Sequence, residues 1–239
     1  MKKNIIIVIL SISFFCCKST LDKESNLEII QTHFSNKNFI QAVQKIDILL
    51  AEEDLDNDFI LELKNIKVNC LFELKQYIRC VRLINDIIYY FPNDESLYLM
   101  RGDSYQYIDN NDLALQDYST LIDRFNNIDA YKRRGTLYIK LGWLTKANVD
   151  VDKVLELDSN HNGSLNNKGV ILVEWGEYDK ALEYYRKSLK VKPNKITYLN
   201  IGDFYDKINI ADSACFYWKI ASDSGIYLAQ KYYELKCIK

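Results

Sequence analysis

The side chains that could carry out catalysis or hold a metal ion are few in this sequence. Histidine occurs only as His33 and His161, and neither has paired cysteines at the spacing of a zinc site. His33 falls at an apolar position of a helical pattern, so we interpret it as a packed side chain, and we interpret His161, between two asparagines, as a solvent-exposed turn residue. The sequence has no glycine-rich phosphate loop, nucleophile elbow or HExxH pattern. We therefore expect no catalytic residue, no metal and no cofactor.

Cysteine is the other residue type with possible chemistry. Four cysteines lie beyond the N-terminal segment, at positions 70, 80, 215 and 237. Cys70 and Cys80 are predicted on the two helices of one pair, where a disulfide could form in an oxidising compartment. Cys80, however, stands where small side chains recur in the rest of the chain, and a packing role explains it without a bond. We expect no disulfide.

The remaining two cysteines end an apolar N-terminal segment. Residues 1–4 form a short positive segment that contains Lys2 and Lys3. Residues 5–15 form an apolar run of 11 residues, which is too short to span a bilayer but suits the core of a signal peptide. Cys16 and Cys17 follow directly. An apolar core that runs into cysteine resembles a bacterial lipoprotein signal, in which the cysteine thiol is acylated and becomes the new N-terminus.

We assign the lipid to Cys17, because Cys16 would then be the small residue before the cleavage site, whereas acylation of Cys16 would place bulky Phe15 there. An ordinary secreted protein and an uncleaved anchor are the alternatives, and each of them also exports the chain. The prediction is a signal peptide at 1–16, a tether at 17–22, and an outer-membrane lipoprotein facing the periplasm of a bacterium.

The charge balance bears on possible partners. The chain has 31 basic and 33 acidic side chains and a pI near 5.8, which argues against electrostatic binding of nucleic acid. A mildly acidic protein is also not attracted to an anionic membrane, so the lipid would be the membrane anchor.

An internal repeat of 33 to 34 residues organises the rest of the chain. Gly102, Gly135, Gly169 and Gly202 are spaced 33, 34 and 33 residues apart, and an alanine follows each of them twelve residues later. Apolar residues around these pairs recur at intervals of three and four, which predicts two amphipathic helices per repeat. Two helices cannot cover both apolar stripes alone, so successive repeats must stack.

Particular residues mark the ends of these predicted helices. Gly142 and Gly176 occupy the same point between the two helices of a repeat, where a helix commonly ends with a residue at positive φ. Pro92 and Pro193 both fall after a second helix, where proline stops a helix without the loss of a hydrogen bond. The chain's 8 glycines and 2 prolines are too few for a fold of many short strands and turns.

Residues 162–195 resemble the tetratricopeptide repeat (TPR) family most clearly. The matching positions are Gly169, Gly176, Tyr178, Ala181, Tyr185, Leu189 and Pro193. The blocks that begin near residues 95, 128 and 195 match in the same way, whereas Ile30 and Val68 replace the glycine in two earlier, degenerate repeats. The resemblance implies an all-α, right-handed superhelix of six helix-turn-helix repeats near 23–54, 61–94, 95–127, 128–161, 162–194 and 195–225.

The same resemblance implies a capping helix at 226–239, with its apolar face on the open end of the stack and its lysines in water. It also places ten of the 18 tyrosines at framework positions. We therefore interpret the tyrosines mostly as core and not as an aromatic binding platform.

In TPR proteins the concave wall is lined by first-helix residues that face away from the packing stripe. Carried over to this sequence, the predicted ligand-binding positions are Asn65, Asn69, Asp103, Tyr107, Lys132, Lys140, Asn166, Glu174, Asp203 and Lys207. The family's clamp for a C-terminal carboxylate is not predicted, since Asn65 and Asn69 lack its lysine and Lys132 lacks the right neighbours.

The predicted function is a non-enzymatic scaffold, anchored in the cell envelope, that binds a peptide or helix of a partner protein on this wall. A glycan- or nutrient-binding envelope lipoprotein is the alternative.

Overall fold

The computed structural model of the protein describes residues 22–52 and 55–238. The predicted signal peptide, Cys16, the acylated Cys17 and the tether up to residue 21 lie outside the described residues. Within the described ranges α-helix is the regular secondary structure and no strand is present. The predicted all-α fold is confirmed.

Thirteen helices occupy the described ranges. In chain order they are α1 (22–35), α2 (Phe39–Leu50), α3 (Asn57–Glu73), α4 (Tyr77–Ile87), α5 (Glu95–Tyr107), α6 (Asn111–Phe125), α7 (Ile128–Lys140), α8 (Leu144–Leu157), α9 (Asn162–Glu174), α10 (Tyr178–Val191), α11 (Lys195–Lys207), α12 (Ala211–Asp223) and α13 (Tyr227–Lys236). The chain divides into two compact units, and the division falls within α6 between Ala114 and Leu115. Odd-numbered helices up to α11 are the first helices of the pairs, and even-numbered helices are the second.

Polar side chains begin five of the first helices. The capping residues are Asp56, Asp94, Asn127, His161 and Asn194. Asn127 is typical, since its Oδ1 accepts a hydrogen bond from the backbone N–H of Ala130 at 2.8 Å. Such a side chain satisfies a donor that the first turn of a helix otherwise leaves unpaired.

The prediction that His161 is solvent-exposed is wrong. Its imidazole is partly buried, and Nδ1 accepts a hydrogen bond from the backbone N–H of Ser164 at 3.1 Å. Burial and the nearby Lys132 ammonium both lower the pKa of the ring, which keeps the accepting nitrogen free of a proton. His161 therefore serves as a helix cap.

One turn geometry recurs between the two helices of every pair. Gly142 and Gly176 have φ values of 74° and 78°, as predicted, and the four other positive-φ residues at this point are Lys37, Lys75, Asp109 and Asn209. In each turn the next backbone N–H bonds the carbonyl five residues earlier, as from Trp143 to Tyr138 at 2.8 Å. The degenerate repeats thus make the same turn without glycine.

The spacing of the turn residues shows that one repeat in the first part of the chain is longer than the others. Lys37 and Lys75 are 38 residues apart, whereas the later turns are 33 or 34 residues apart. The extra length lies within α3, which has 17 residues where α5, α7, α9 and α11 have 13, and which begins at Asn57, four residues ahead of the predicted repeat start at residue 61.

Close helix crossings form the core of the second unit. Gly169 and Gly202 lie directly against the buried rings of Tyr185 and Trp218, so these glycines leave room for large aromatic side chains. The prediction that the framework tyrosines are mostly core is only partly met. Tyr118 and Tyr185 are fully buried, most of the others are half-buried between helices, and Tyr178 is exposed.

The expectation of no disulfide is wrong. Cys215 and Cys237 are bonded, with their Cα atoms 5.7 Å apart, because α13 folds back along α12 and brings the end of the chain to it. Cys70 and Cys80 are free and buried, which confirms that they pack without a bond. The sequence did not predict this bond, because Cys215 and Cys237 are 22 residues apart and come together only when the last two helices pack.

The last helix differs from the predicted cap. Ala229 and Tyr232 of α13 pack on the second unit, but Leu235 is 72% exposed, and Tyr227 and Ile238 are exposed as well. Apolar side chains occur on both sides of this helix, so packing one side leaves the other in water.

Among the helices of the described ranges, none is both long enough and apolar enough to cross a bilayer.

Candidate functional site

The predicted ligand-binding positions fall on first helices of both units, and three of them meet in one cleft. Glu174 of α9 and Asp203 and Lys207 of α11 line a cleft of about 190 Å³ in the second unit. The other side chains that line it are Val170, Val173, Tyr185, Asn200 and Phe204. We call this the α9–α11 cleft.

Charged groups at the edge of the α9–α11 cleft are held in place by other side chains. The Lys207 ammonium donates to Glu174 Oε1 at 2.8 Å, which joins the two helices. Asp203 Oδ1 accepts a hydrogen bond from Trp218 Nε1 at 2.7 Å. Burial raises the pKa of Asp203 above its ordinary value, although this hydrogen bond opposes the shift.

The floor of the α9–α11 cleft is apolar. Val173 and Phe204 are nearly fully buried, and Val170 is half-buried between them and water. Polar and apolar side chains line the cleft in equal number, and such a mixed lining can hold an apolar side chain of a peptide with polar groups beside it.

Other predicted positions of the second unit lie outside this cleft. Asn166 is only 6% exposed, and its Oδ1 accepts a hydrogen bond from Asn200 Nδ2 at 3.0 Å. The Lys132 ammonium pairs with Asp129 one turn earlier on α7, and Lys140 is exposed at the end of that helix. Equivalent positions on successive first helices face each other, so part of the predicted wall is used in packing between repeats.

The first unit has a cleft of its own. Asn69 lines a cleft of about 440 Å³ together with Gln31, Phe34, Ser35 and Ile66. The Asn69 amide donates to the backbone carbonyl of Asn65 at 3.0 Å, and Asn65 is not part of the lining. This cleft lies between α1 and α3, the first helices of the two degenerate repeats.

The two other predicted positions of the first unit do not line this cleft. Asp103 is only 6% exposed, so the prediction that it faces the open wall is wrong. Tyr107 is 63% exposed and stacks on Tyr77, with ring centroids 4.3 Å apart. Burial of Asp103 follows from packing around α5, which the helical pattern did not show.

Sequence reasoning missed several side chains of the two clefts. Asn200 lies 34 residues after Asn166, so the repeat period could have identified it. Tyr185 was assigned to the framework, yet it also borders the α9–α11 cleft. The first unit's cleft was missed because Ile30 replaces the glycine that marks the repeat register in the repeat that contains Gln31, Phe34 and Ser35.

A wider cleft lies elsewhere in the second unit. Its volume is about 740 Å³, and its lining is Leu155, Ser159, Asn160, Leu165, Tyr184, Lys187, Lys190 and Val191. None of the predicted ligand-binding positions contributes to it, and Lys187 is paired with Glu183 on its own helix.

Groups suited to covalent or metal chemistry are not assembled in the described part of the chain. It contains no group of three or more histidine, cysteine, aspartate or glutamate side chains that could hold a metal ion. Burial raises the pKa of the Cys70 thiol to about 11 and also raises that of Cys80, so neither thiol is activated as a nucleophile.

Comparison with known proteins agrees with the repeat pattern. Two models described as tetratricopeptide repeat match residues 128–161 and 164–195. Hsp70-Hsp90 organizing protein 3 of Arabidopsis thaliana is 38% identical over 88 residues, which are 36% of this chain and 16% of that protein. The corresponding protein 1 of Glycine max is 37% identical over 82 residues, 34% of this chain and 14% of the relative. The chain thus spans about a sixth of the length of these relatives.

Solved structures resemble the fold over a larger part of the chain. A tetratricopeptide repeat protein from Parabacteroides merdae has a TM-score of 0.64 and 16% identity, covering 90% of this chain and 98% of that one. A thermophilic TPR protein of Thermus thermophilus has a TM-score of 0.63 and 15% identity, with 75% and 100% covered. This chain therefore contains tetratricopeptide repeats and has the all-α fold of tetratricopeptide repeat proteins.

Proposed function

We propose that the protein is a non-enzymatic scaffold that binds a peptide or helix of a partner protein in the α9–α11 cleft. The observation that carries the proposal is the meeting of Glu174, Asp203 and Lys207 over an apolar floor on two first helices. A helix or extended segment can place an apolar side chain on such a floor and polar groups at its edge. This combination suits a partner held by side-chain contacts without chemical conversion.

The relatives support a protein as the partner. Hsp70-Hsp90 organizing proteins are named for organising other proteins, and their similarity to this chain covers about a third of it. An acidic chaperone tail is not the partner we propose, because Glu174 and Asp203 place two carboxylates at the cleft against the single ammonium of Lys207.

The first prediction concerns the floor of the cleft. Val170→Arg places a long cation beside Glu174 and Asp203, where it occupies the space that a partner side chain needs. Capture of the partner from a detergent-solubilised envelope fraction, measured by quantitative mass spectrometry, is expected to fall at least about tenfold, equivalent to a loss of roughly 1.4 kcal/mol.

Val149→Arg is the matched control, because Val149 is 63% exposed on α8 and does not line the cleft. The control should capture the same partner as the unmodified protein. Equal capture by Val170→Arg would contradict the cleft as the binding site. Recovery of glycans without any protein would instead support the glycan- or nutrient-binding alternative.

We further propose that the scaffold is exported and held at the bacterial outer membrane, facing the periplasm, by a lipid on Cys17. The N-terminal apolar run that ends in Cys16 and Cys17 supports this proposal. The Cys215–Cys237 disulfide supports it independently, since such bonds persist in oxidising compartments and are rare in the cytosol.

The second prediction tests this anchor. Cys17→Ser removes the thiol that would be acylated, so the protein should move from the membrane fraction to the soluble fraction on immunoblots of fractionated cells. Cys16→Ser keeps a small residue before the cleavage site and should leave the protein in the membrane fraction. Membrane retention of Cys17→Ser would defeat the assignment, and release by Cys16→Ser alone would move the lipid to Cys16.

A further inference from the structure

The exposed side of α13 is unusually apolar for the surface of a soluble domain. Tyr227, Leu228, Leu235 and Ile238 are 78%, 44%, 72% and 59% exposed, while Ala229 is buried on the opposite side. Four large apolar side chains grouped on one short segment are characteristic of an interaction surface. No element of the described residues covers this side of the helix, which we call the α13 outer face.

The α13 outer face also carries a pair of opposite charges. Tyr227, Lys231 and Glu234 follow one another at intervals of four and three residues, so they lie in one row along the helix. Leu228 and Leu235 flank this row. Lys231 makes no ion pair within the described residues, and the Glu234 carboxylate accepts only from Gln230 Nε2, at 2.8 Å.

The row has an apolar side chain at each end and two charged side chains in the middle, so the sequence of apolar and charged positions is the same in both directions along the helix. Ile238 follows Glu234 by four residues, as Lys231 follows Tyr227, so the row reads apolar, charged, charged, apolar. If a second α13 lies antiparallel, Tyr227 faces the partner's Ile238 and Lys231 faces the partner's Glu234. A two-fold contact requires this kind of match, because each side chain must suit its counterpart on an identical surface.

Ile238 lies just beyond the helix, which ends at Lys236. The disulfide between Cys237 and Cys215 ties the neighbouring residue to α12, and Lys236 pairs with Asp206 of α11 at 2.5 Å. The C-terminal end of the row is therefore tied to α11 and α12. Holding an interface in its bound geometry reduces the entropy lost on association.

We propose that the α13 outer face joins two copies of this chain in an antiparallel contact. The apolar side chains at the two ends of the row supply the buried area, and the two Lys231–Glu234 pairs set the direction of the helices. One helix face is at the small end of protein interfaces, so the dimer is weak, with a dissociation constant of roughly 10 to 100 µM. This proposal is independent of what the α9–α11 cleft binds.

Sedimentation velocity of the full-length chain in a mild non-ionic detergent tests the proposal over a concentration series of about 5 to 200 µM. The unmodified protein should change from monomer to dimer within this range. Lys231→Glu and Glu234→Lys each place like charges opposite one another, and each should shift the midpoint at least about tenfold to higher concentration.

The double variant Lys231→Glu with Glu234→Lys restores opposite charges across the contact, and its midpoint should return close to that of the unmodified protein. Circular dichroism checks that helix content is equal in all four proteins, and Val149→Glu on α8 is the control for an added surface charge. A monomer at every concentration would overturn the proposal. Single variants that dimerise normally, or a double variant that stays monomeric, would overturn it too.

Discussion

Replacing Arg134 with alanine is expected to lower the free energy of unfolding by about 3 to 5 kcal/mol. Nε and Nη2 of Arg134 donate to the two oxygens of Asp150, each at 2.9 Å, and Nη1 donates to Ser119 Oγ at 2.9 Å. Asp150 is only 1% exposed. Truncation of the arginine would leave a buried carboxylate without its cation.

Urea denaturation followed by circular dichroism measures this loss. Replacement of both partners by apolar side chains closer to them in volume, Arg134→Met with Asp150→Val, should recover most of the stability, because no charge is then buried. Lys219→Ala is the surface control, since Lys219 and Asp223 are both more than half exposed and such pairs contribute little. A loss for Arg134→Ala as small as for the control would contradict the prediction.

Gly169→Ala and Gly202→Ala are each expected to destabilise the fold by about 2 to 3 kcal/mol. A Cβ atom at Gly169 would lie 2.5 Å from Tyr185 Cε1, and one at Gly202 would lie 2.7 Å from Trp218 Nε1. Both rings are almost fully buried, so they have little room to move. The overlap outweighs the higher helix propensity of alanine, which is worth about 1 kcal/mol.

Gly135→Ala separates this effect from a general intolerance of alanine. Its nearest neighbour would be Asp150 Cβ at 3.2 Å, a contact that a shift of a few tenths of an ångström can relieve. Thermal unfolding should therefore show a much smaller loss for Gly135→Ala than for the other two variants. Equal losses at all three glycines would show that ring overlap is not the cause.

Some residues of the α9–α11 cleft could be predicted from the sequence, whereas the burial of other predicted positions could not. Glu174, Asp203 and Lys207 were predicted by carrying the concave face of tetratricopeptide repeats over to this sequence, which requires only the repeat register and the face of each helix. Asp103 and Asn166 share that face but are buried, because neighbouring helices cover them. A periodic pattern shows the direction of a side chain along its own helix, but it does not show what packs over that side chain.

The sequence by itself determined the helical pairs of this protein. The turns between them are closed by hydrogen bonds within six residues. Four of these turns have glycine, aspartate or asparagine, which tolerate positive φ, and Lys37 and Lys75 adopt the same conformation in the two degenerate repeats. Only the tertiary structure decided the Cys215–Cys237 bond and the exposed outer face of α13. These features depend on distances between side chains and on the surface that neighbouring helices leave uncovered, which packing determines.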